Sequence, residues 1–372
     1  MSTTSFNCVQ VNETALTGNY RRIREQAGVT VMAMVKADAY GHGMVESAKA
    51  FSRAGCSCFG VAELREGVLL RQAGVTGEIF VTIGFAPADA GFFLKYQLTP
   101  VIYDYAAAEA LAGQAVALNR ALKIHVKVDT GMGRLGILPD ELPAFVSALR
   151  GLPGIEVAGI MSHFPEADDP RAASTGRALA SFITASNACG QPGSTIRHIA
   201  NSAGVLNYPD ARCDMARCGI ALYGYHPAGA SGRSAAVPLQ PAMSFSSRIL
   251  QVKVLPAGAG ISYGHTYRTT RPTTLAVLPV GYEDGYSRAL SNRAEVLVHG
   301  RRVPVRGRIC MNMSMVDVTG IAGVKAGDEA VLLGRQGEEM VDADELAEKS
   351  GTISYEVLCL LGNNNQRVYR PS

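Results

Sequence analysis

A single lysine at the end of an apolar run offers the clearest chemistry in this chain. In the stretch 29–43, VTVMAMVKADAYGHG, six of the seven residues before Lys36 are apolar. Burial disfavours an ammonium ion and can pull a lysine pKa down from about 10.4 by several units. The free amine that results is a nucleophile toward carbonyl carbon. A solvated lysine at a strand end is the plain alternative. Residues 38–43, DAYGHG, read as a tight polar loop with two glycines, ahead of a helix starting near Met44.

An amine nucleophile suits an aldehyde cofactor, of which pyridoxal 5'-phosphate is the usual one. The protein must then hold a phosphate, tune the ring nitrogen and supply acid–base groups. Ser202 and the backbone at Gly219 and Ile220 are candidates for the phosphate, a strand-end turn being the alternative. Arg217 sits among Met215, Ala216 and Cys218 and needs a buried acceptor. Aimed at a pyridine nitrogen, its permanent charge keeps that nitrogen unprotonated and weakens the ring as an electron sink. Such a ring favours brief proton exchange at an α-carbon. A structural ion pair with a strand neighbour is the competing reading.

The elements that would position these groups alternate along the chain. Apolar strand-like runs at 29–35, 56–63, 78–84, 98–104, 122–130, 157–164, 194–202 and 214–224 are separated by helical patterns at 44–54, 64–72, 105–119, 140–149 and 171–188, with a further helix at 12–26 before the first. Eight such strands predict an α/β fold, a closed (β/α)8 TIM-type barrel. An open doubly wound sheet is the alternative, but no GxGxxG follows the first strand. In a barrel, chemistry belongs at the carboxyl ends of the strands. Lys36, Tyr40, Arg134, His163, Asn201, Ser202, Arg217, Gly219 and Ile220 all follow or end a strand there.

The run 226–241, HPAGASGRSAAVPLQP, has no periodicity and marks a domain boundary. Beyond it, short β-like segments alternate with turn signals, and short helices fit 342–349 and 354–361. The expected division is a barrel over 10–230 and a smaller, mainly β domain over 238–372 that includes a strand at 1–9. The chain has 372 residues, 47% hydrophobic and 18% charged, with a net charge of +3. No basic stripe points to nucleic acid, and no unbroken run of 18 apolar residues could span a membrane. The opening residues lack the basic start and apolar core of a secretory signal. The eight cysteines lack CxxC pairs and zinc spacing, which predicts reduced thiols in a soluble, cytoplasmic protein without a metal.

Eight stretches in order extend the reading: VKADAYGHG (35–43), KVDTGMGRLG (127–136), SHF (162–164), HIANS (198–202), ARCGIALYG (216–224), ISYGHTY (261–267), PVGYEDGY (279–286) and GRICM (307–311). Through them the chain resembles the bacterial alanine racemases, barrel-fold pyridoxal phosphate enzymes, along nearly its whole length. The resemblance implies that Lys36 carries the cofactor as an imine and is one catalytic base. Tyr263 would be the other, reaching in from the second subunit of a homodimer. Tyr40, Ser202, Gly219 and Ile220 would hold the phosphate, with His163 and Asn201 also against the cofactor, and Arg217 would face the ring nitrogen. His163 and His198 would link Arg217 to Tyr263. Arg134 and the backbone of Met311, the latter from the partner, would bind the substrate carboxylate. Lys127 falls where these enzymes often carry a carbamylated lysine that orients Arg134. Racemisation needs an acid–base group on each face of a planar carbanionic intermediate, and an amine and a phenol, with free pKa values of roughly 10.4 and 10, must both be tuned toward neutrality.

Two positions depart from the pattern. Asn312 stands where the family has an aspartate in GRICMD, and its lost charge is expected to alter the substrate loop. Aligning SYEVLCLLGNNNQRVY on the family's C-terminus puts Asn363 where a tyrosine near the phosphate is expected. A smaller amide there predicts L-serine turnover beside L-alanine. Two rival functions remain: a non-catalytic pyridoxal phosphate carrier, which would lack the second domain, and a fold-related amino acid decarboxylase, which usually sets an acid at the ring nitrogen.

Overall fold

Alternating strands and helices up to residue 218 build a parallel ring, as the pattern requires. The computed structural model describes residues 5–190, 195–229 and 237–370. Its first strands are β1 (Cys8–Asn12), β2 (Thr30–Met34), β3 (Cys58–Val61), β4 (Glu78–Val81), β5 (Thr99–Ile102), β6 (Leu122–Lys127), β7 (Ile155–Met161), β8 (Ile196–His198) and β9 (Met215–Cys218). The last eight form one parallel sheet in the order β8-β7-β6-β5-β4-β3-β2-β9. Asp214 N–H donates to Arg197 O at 3.0 Å and Arg217 N–H to Ala200 O at 2.9 Å, which joins β9 to the β8 segment and closes the barrel. Strands β5 and β9 are buried at every residue, as strands covered on both faces must be.

The helices fall close to expectation at Glu13–Ala27, Met44–Arg53, Leu64–Gln72, Tyr105–Ala117, Leu142–Arg150 and Ala173–Asn187. Helix Ala90–Tyr96, between β4 and β5, is an addition. The seventh strand is shorter than its apolar run: β8 ends at His198, and residue 194 lies outside the described residues. Asn201 and Ser202 therefore do not end a strand. Asn201 caps helix Ser202–Asn207, its Oδ1 accepting from Gly204 N–H at 2.8 Å, because a short amide side chain satisfies an end donor better than strand pairing would.

Strand β10 (Met243–Arg248) opens a second sheet. Residues 230–236 of the expected boundary lie outside the described residues. β1 pairs antiparallel with β10 and parallel with the C-terminal strand Arg367–Arg370, so both ends of the described chain are built into this sheet. Strands Glu329–Gln336, Glu295–Val298 and Arg301–Pro304 extend it, and Gln251–Leu255, Thr273–Leu278 and Ser314–Asp317 form a separate antiparallel sheet. Helix Ser354–Asn364 returns from this half to the barrel rim, where its backbone at Gly362 meets that of Gly41.

A Cβ on Gly362 would fall 1.9 Å from Gly41 O, a backbone atom that cannot turn aside. Gly362→Ala is expected to destabilise the protein by about 1–3 kcal/mol. Gly113→Ala, on an exposed helix face with open space at the Cβ, should instead stabilise by about 0.5–1 kcal/mol. Urea unfolding of the two variants checks both signs.

Candidate active site

At the carboxyl ends of the barrel strands lies a cavity of about 330 Å³. Lys36, Lys127, Arg134 and Arg217 all line it, and no described carboxylate does. Tyr40, His163, Asn201, Ser202, Gly219 and Ile220 complete the expected set, joined by Met34, Ala37, Thr82, Met161, Tyr355 and Cys359.

Lys36 follows β2 after one residue and enters an unusual turn. Ala37, Asp38, Ala39 and Tyr40 have φ of 53°, 52°, 56° and 54°, a left-handed turn built without glycine. The expected polar loop is thus a defined helical turn of the disfavoured hand, costing roughly 1–2 kcal/mol per residue. It is closed by Gly41 N–H to Ala37 O at 3.2 Å and Gly43 N–H to Asp38 O at 2.8 Å. Burial lowers the Lys36 pKa, and the Arg134 and Arg217 cations lower it further. The turn also delivers Tyr40, whose ring packs between Tyr223 and Tyr355 with centroids 4.9 and 5.9 Å away.

Arg217 is 4% exposed and pairs with no carboxylate among the described residues, which removes the structural ion-pair reading. Nη1 donates to His198 O at 2.7 Å and His198 Nδ1 at 3.1 Å. Nη2 donates to Ser162 O at 2.5 Å, His163 Nδ1 at 3.2 Å and Ile199 O at 3.3 Å. Burial draws its pKa to about 10, so it remains a cation at neutral pH. A guanidinium only donates, so both imidazoles accept at Nδ1 and carry their proton on Nε2. His198 Nε2–H then donates to His125 Nδ1 at 2.7 Å. Burial and the Arg217 charge hold His163 and His125 below the ordinary range, the latter at about 3. For His198 burial is again the largest cause, followed by His125 and Arg217. His125 fits because Gly159 has no side chain: a Cβ there would lie 2.2 Å from the ring.

Arg134 is carried on a loop wound around one carboxylate. Asp129 Oδ1 accepts from the N–H groups of Gly131, Met132 and Gly133 at 2.9, 2.8 and 3.1 Å, and Oδ2 from Arg134 N–H at 2.9 Å. Burial raises the Asp129 pKa, but these four donors outweigh it and hold the group low. Lys127, the last residue of β6, is 7% exposed. Burial, then Arg217, Arg134 and Lys36, bring its pKa to about 8.

Also lining the cavity, Ser202 has its Oγ accepting from Gly219 N–H at 3.0 Å and Ala221 N–H at 3.4 Å. A Cβ on Gly219 would fall 2.2 Å from Tyr40 Oη. Hydroxyls of Tyr40 and Ser202 thus converge on bare backbone, a cradle that fits a phosphate.

Asn363 does not join them. It is exposed on helix Ser354–Asn364, and the tyrosine at the cavity is Tyr355. Tyr355 and Cys359, four residues apart, share the helix face turned to the rim, and Asn363 lies off that face. Tyr263 and Met311 are absent from this cavity, being 70% and 55% exposed on the second half of the chain. Their loops meet there. Ser262 Oγ donates to Arg308 O at 2.6 Å, and Tyr282 N–H donates to Cys310 O at 3.1 Å. Asn312 Nδ2 donates to Glu283 Oε2 at 2.9 Å, so the uncharged residue gains a partner that an ionised aspartate would repel.

Residues 11–227 match the family model "Alanine racemase, N-terminal domain", and residues 242–369 match "Alanine racemase, C-terminal domain". The chain belongs to the alanine racemase family. Among its alanine racemase relatives, that of Syntrophobacter fumaroxidans is 44% identical over 359 residues, covering 96% of this chain and 95% of the relative. The alanine racemase of Streptomyces lavendulae superposes with a TM-score of 0.94 at 34% identity, covering 100% of this chain and 98% of that one. The alanine racemase of Bartonella henselae, solved with covalently bound pyridoxal phosphate, gives 0.89 at 28% identity, with 98% and 99% covered. All eight cysteines are free, and no helix of the described residues is long and apolar enough to cross a membrane.

Removing a neighbouring cation should favour the charged form of Lys36. In Arg134→Met the midpoint for labelling Lys36 with an amine reagent, followed by mass spectrometry against pH, is expected to move upward. Gly219→Ala should weaken retention of added pyridoxal phosphate at least about tenfold, by analogy with other overpacked contacts, measured by equilibrium dialysis.

Proposed function

We propose that this protein interconverts L- and D-alanine with pyridoxal 5'-phosphate, in a homodimer whose subunits complete each other's sites. The observation that carries this reading is a cavity with four cationic side chains and no described carboxylate. Such a cavity suits a guest with two anionic ends, a phosphate and an α-carboxylate. The cofactor, when bound, supplies the electron withdrawal that loosens the α-proton of an amino acid.

Lys36 holds the cofactor through Nζ and, when free, takes or returns the α-proton on one face. Its lowered pKa supports that role, since a neutral amine is needed to accept. Tyr263 of the partner subunit moves the proton on the other face. Tyr40, Ser202 and the backbone at Gly219 and Ile220 bind the phosphate, with Asn201 beside them. Arg217, charged and locked in place, faces the ring nitrogen, and His163 keeps its Nε2–H toward the cavity. Arg134 and the Met311 backbone of the partner subunit bind the carboxylate. Lys127, with a pKa near 8, has enough free amine at neutral pH to take up carbon dioxide as a carbamate, whose negative charge would orient Arg134.

The dimer reading is supported by the exposure of Tyr263, Tyr282, Met311 and Met313 on adjoining loops, an apolar face of a kind that marks association. The match to the C-terminal family domain argues against a barrel-only carrier, and a cavity lined by Arg217 and by no described carboxylate argues against a decarboxylase, which usually sets an acid at the ring nitrogen. Asn363 does not line the cavity and Tyr355 does, which argues against room made there for L-serine.

With pyridoxal phosphate added, circular dichroism of L-alanine should decay to zero without carbon dioxide release, faster than that of L-serine, and Asn363→Tyr should leave the ratio unchanged. Persistent L-alanine signal, or carbon dioxide, would overturn the reading. Mixed Lys36→Ala and Tyr263→Phe proteins, each nearly inactive, should regain about a quarter of the sites by random pairing of subunits.

A further inference from the structure

The turn that carries Lys36 is fastened by residues far away in sequence. Glu66 Oε1 accepts Ala37 N–H at 2.8 Å, while its Oε2 accepts Ala62 and Glu63 N–H at 2.8 and 2.9 Å. At the other end Asp38 Oδ1 accepts Met44 N–H at 2.6 Å, tying the turn to the following helix. Asp38 Oδ2 forms an ion pair with Arg367 Nη1, and the same nitrogen donates to Gly41 O at 3.1 Å. One guanidinium thus spans the turn from its second residue to its close. Arg367 begins the C-terminal strand Arg367–Arg370, whose register beside β1 holds it still.

We propose that Arg367 is a positioning residue for the active site: by bridging Asp38 and Gly41 it holds the left-handed turn, and so Lys36 and Tyr40, in the geometry the cofactor needs. Four non-glycine residues at positive φ persist only where the surroundings over-determine them. Within the turn, Ala39 N–H donates to Val35 O at 2.8 Å and His42 N–H to Ala39 O at 3.0 Å, and the buried His42 Nδ1 lies 3.1 and 3.0 Å from the carbonyls of Ala39 and Tyr40. From outside, Glu66 holds its start, helix Ser354–Asn364 packs on Gly41, and among the described residues Arg367 alone joins Asp38 to Gly41. The C-terminal strand acts here on the lysine of its own subunit, a task separate from the one proposed for Tyr263. The cofactor clause rests on the function proposed above, whereas the state of the turn can be read without it.

The test compares Arg367→Gln, Arg367→Lys, Asp38→Asn and the double variant Asp38→Asn/Arg367→Gln. Asp38→Asn keeps an oxygen for Met44 N–H but loses the charge that holds Arg367. In protein without cofactor, amide hydrogen exchange over residues 37–44 should quicken about tenfold in Arg367→Gln, with the barrel strands unchanged. Arg367→Lys, which keeps the charge but loses the planar fork, should fall between Gln and the parent. Asp38→Asn should match Arg367→Gln, and the double variant should add nothing further, as coupled partners do. With cofactor supplied, the same variants should take it up more slowly and release it faster. Parent-like exchange over 37–44 in Arg367→Gln, additive effects in the double variant, or faster exchange spread evenly over the whole chain would overturn the proposal. If exchange responds as expected but the parent protein takes up no cofactor, the function proposed above fails and the fastening of the turn stands.

Discussion

Four cationic side chains crowd one cavity, and no described carboxylate faces them. Two unit charges 6 Å apart repel by roughly 3 kcal/mol at an effective dielectric of about 20, before any desolvation. The protein relieves this in two ways. Lys36 and Lys127 lower their affinity for protons, so that part of the charge can be set aside. Arg217 cannot do so at neutral pH and is instead surrounded by three carbonyl oxygens and two imidazole nitrogens. Such a cage satisfies the donors without cancelling the charge. The remaining field is available to an anionic guest, which makes the electrostatic strain of the folded protein part of its binding affinity.

Backbone strain is handled in the same spirit. The left-handed turn after Lys36 is disfavoured at each residue, yet it brings the lysine and Tyr40 to one wall within five residues. Contacts from both halves of the chain offset the cost: Glu66 from the barrel, Arg367 from the C-terminal strand, and helix Ser354–Asn364 pressed against Gly41. The second half of the molecule is therefore structural support for the barrel's own site. Its loops around Tyr263, Tyr282 and Met311 are exposed and do not line that site.

Much of the fold was legible in the residues because parallel strands buried on both faces must be continuously apolar, and the helices between them must not be. The barrel strands and the rim position of Lys36, Arg134, His163 and Arg217 follow from that alternation. The failures have local causes. A capping amide and a short helix at Asn201–Ser202 look like strand in an apolar run, and on helix Ser354–Asn364 the spacing of motifs does not reveal that Tyr355 rather than Asn363 faces the cavity. His125, Glu66 and Arg367 carried no visible signal, since each acts through a partner distant in sequence.

By itself the sequence determined the alternation that closes the barrel, the family through eight ordered motifs, and the inventory of groups able to do the chemistry. Only the tertiary structure decided the hand of the turn after Lys36, the tautomers of three histidines, and which residue of helix Ser354–Asn364 reaches the cavity. The physical reason is that periodic burial is written into neighbouring residues. Hydrogen-bond direction, charge crowding and backbone strain depend on atoms brought together from opposite ends of the chain.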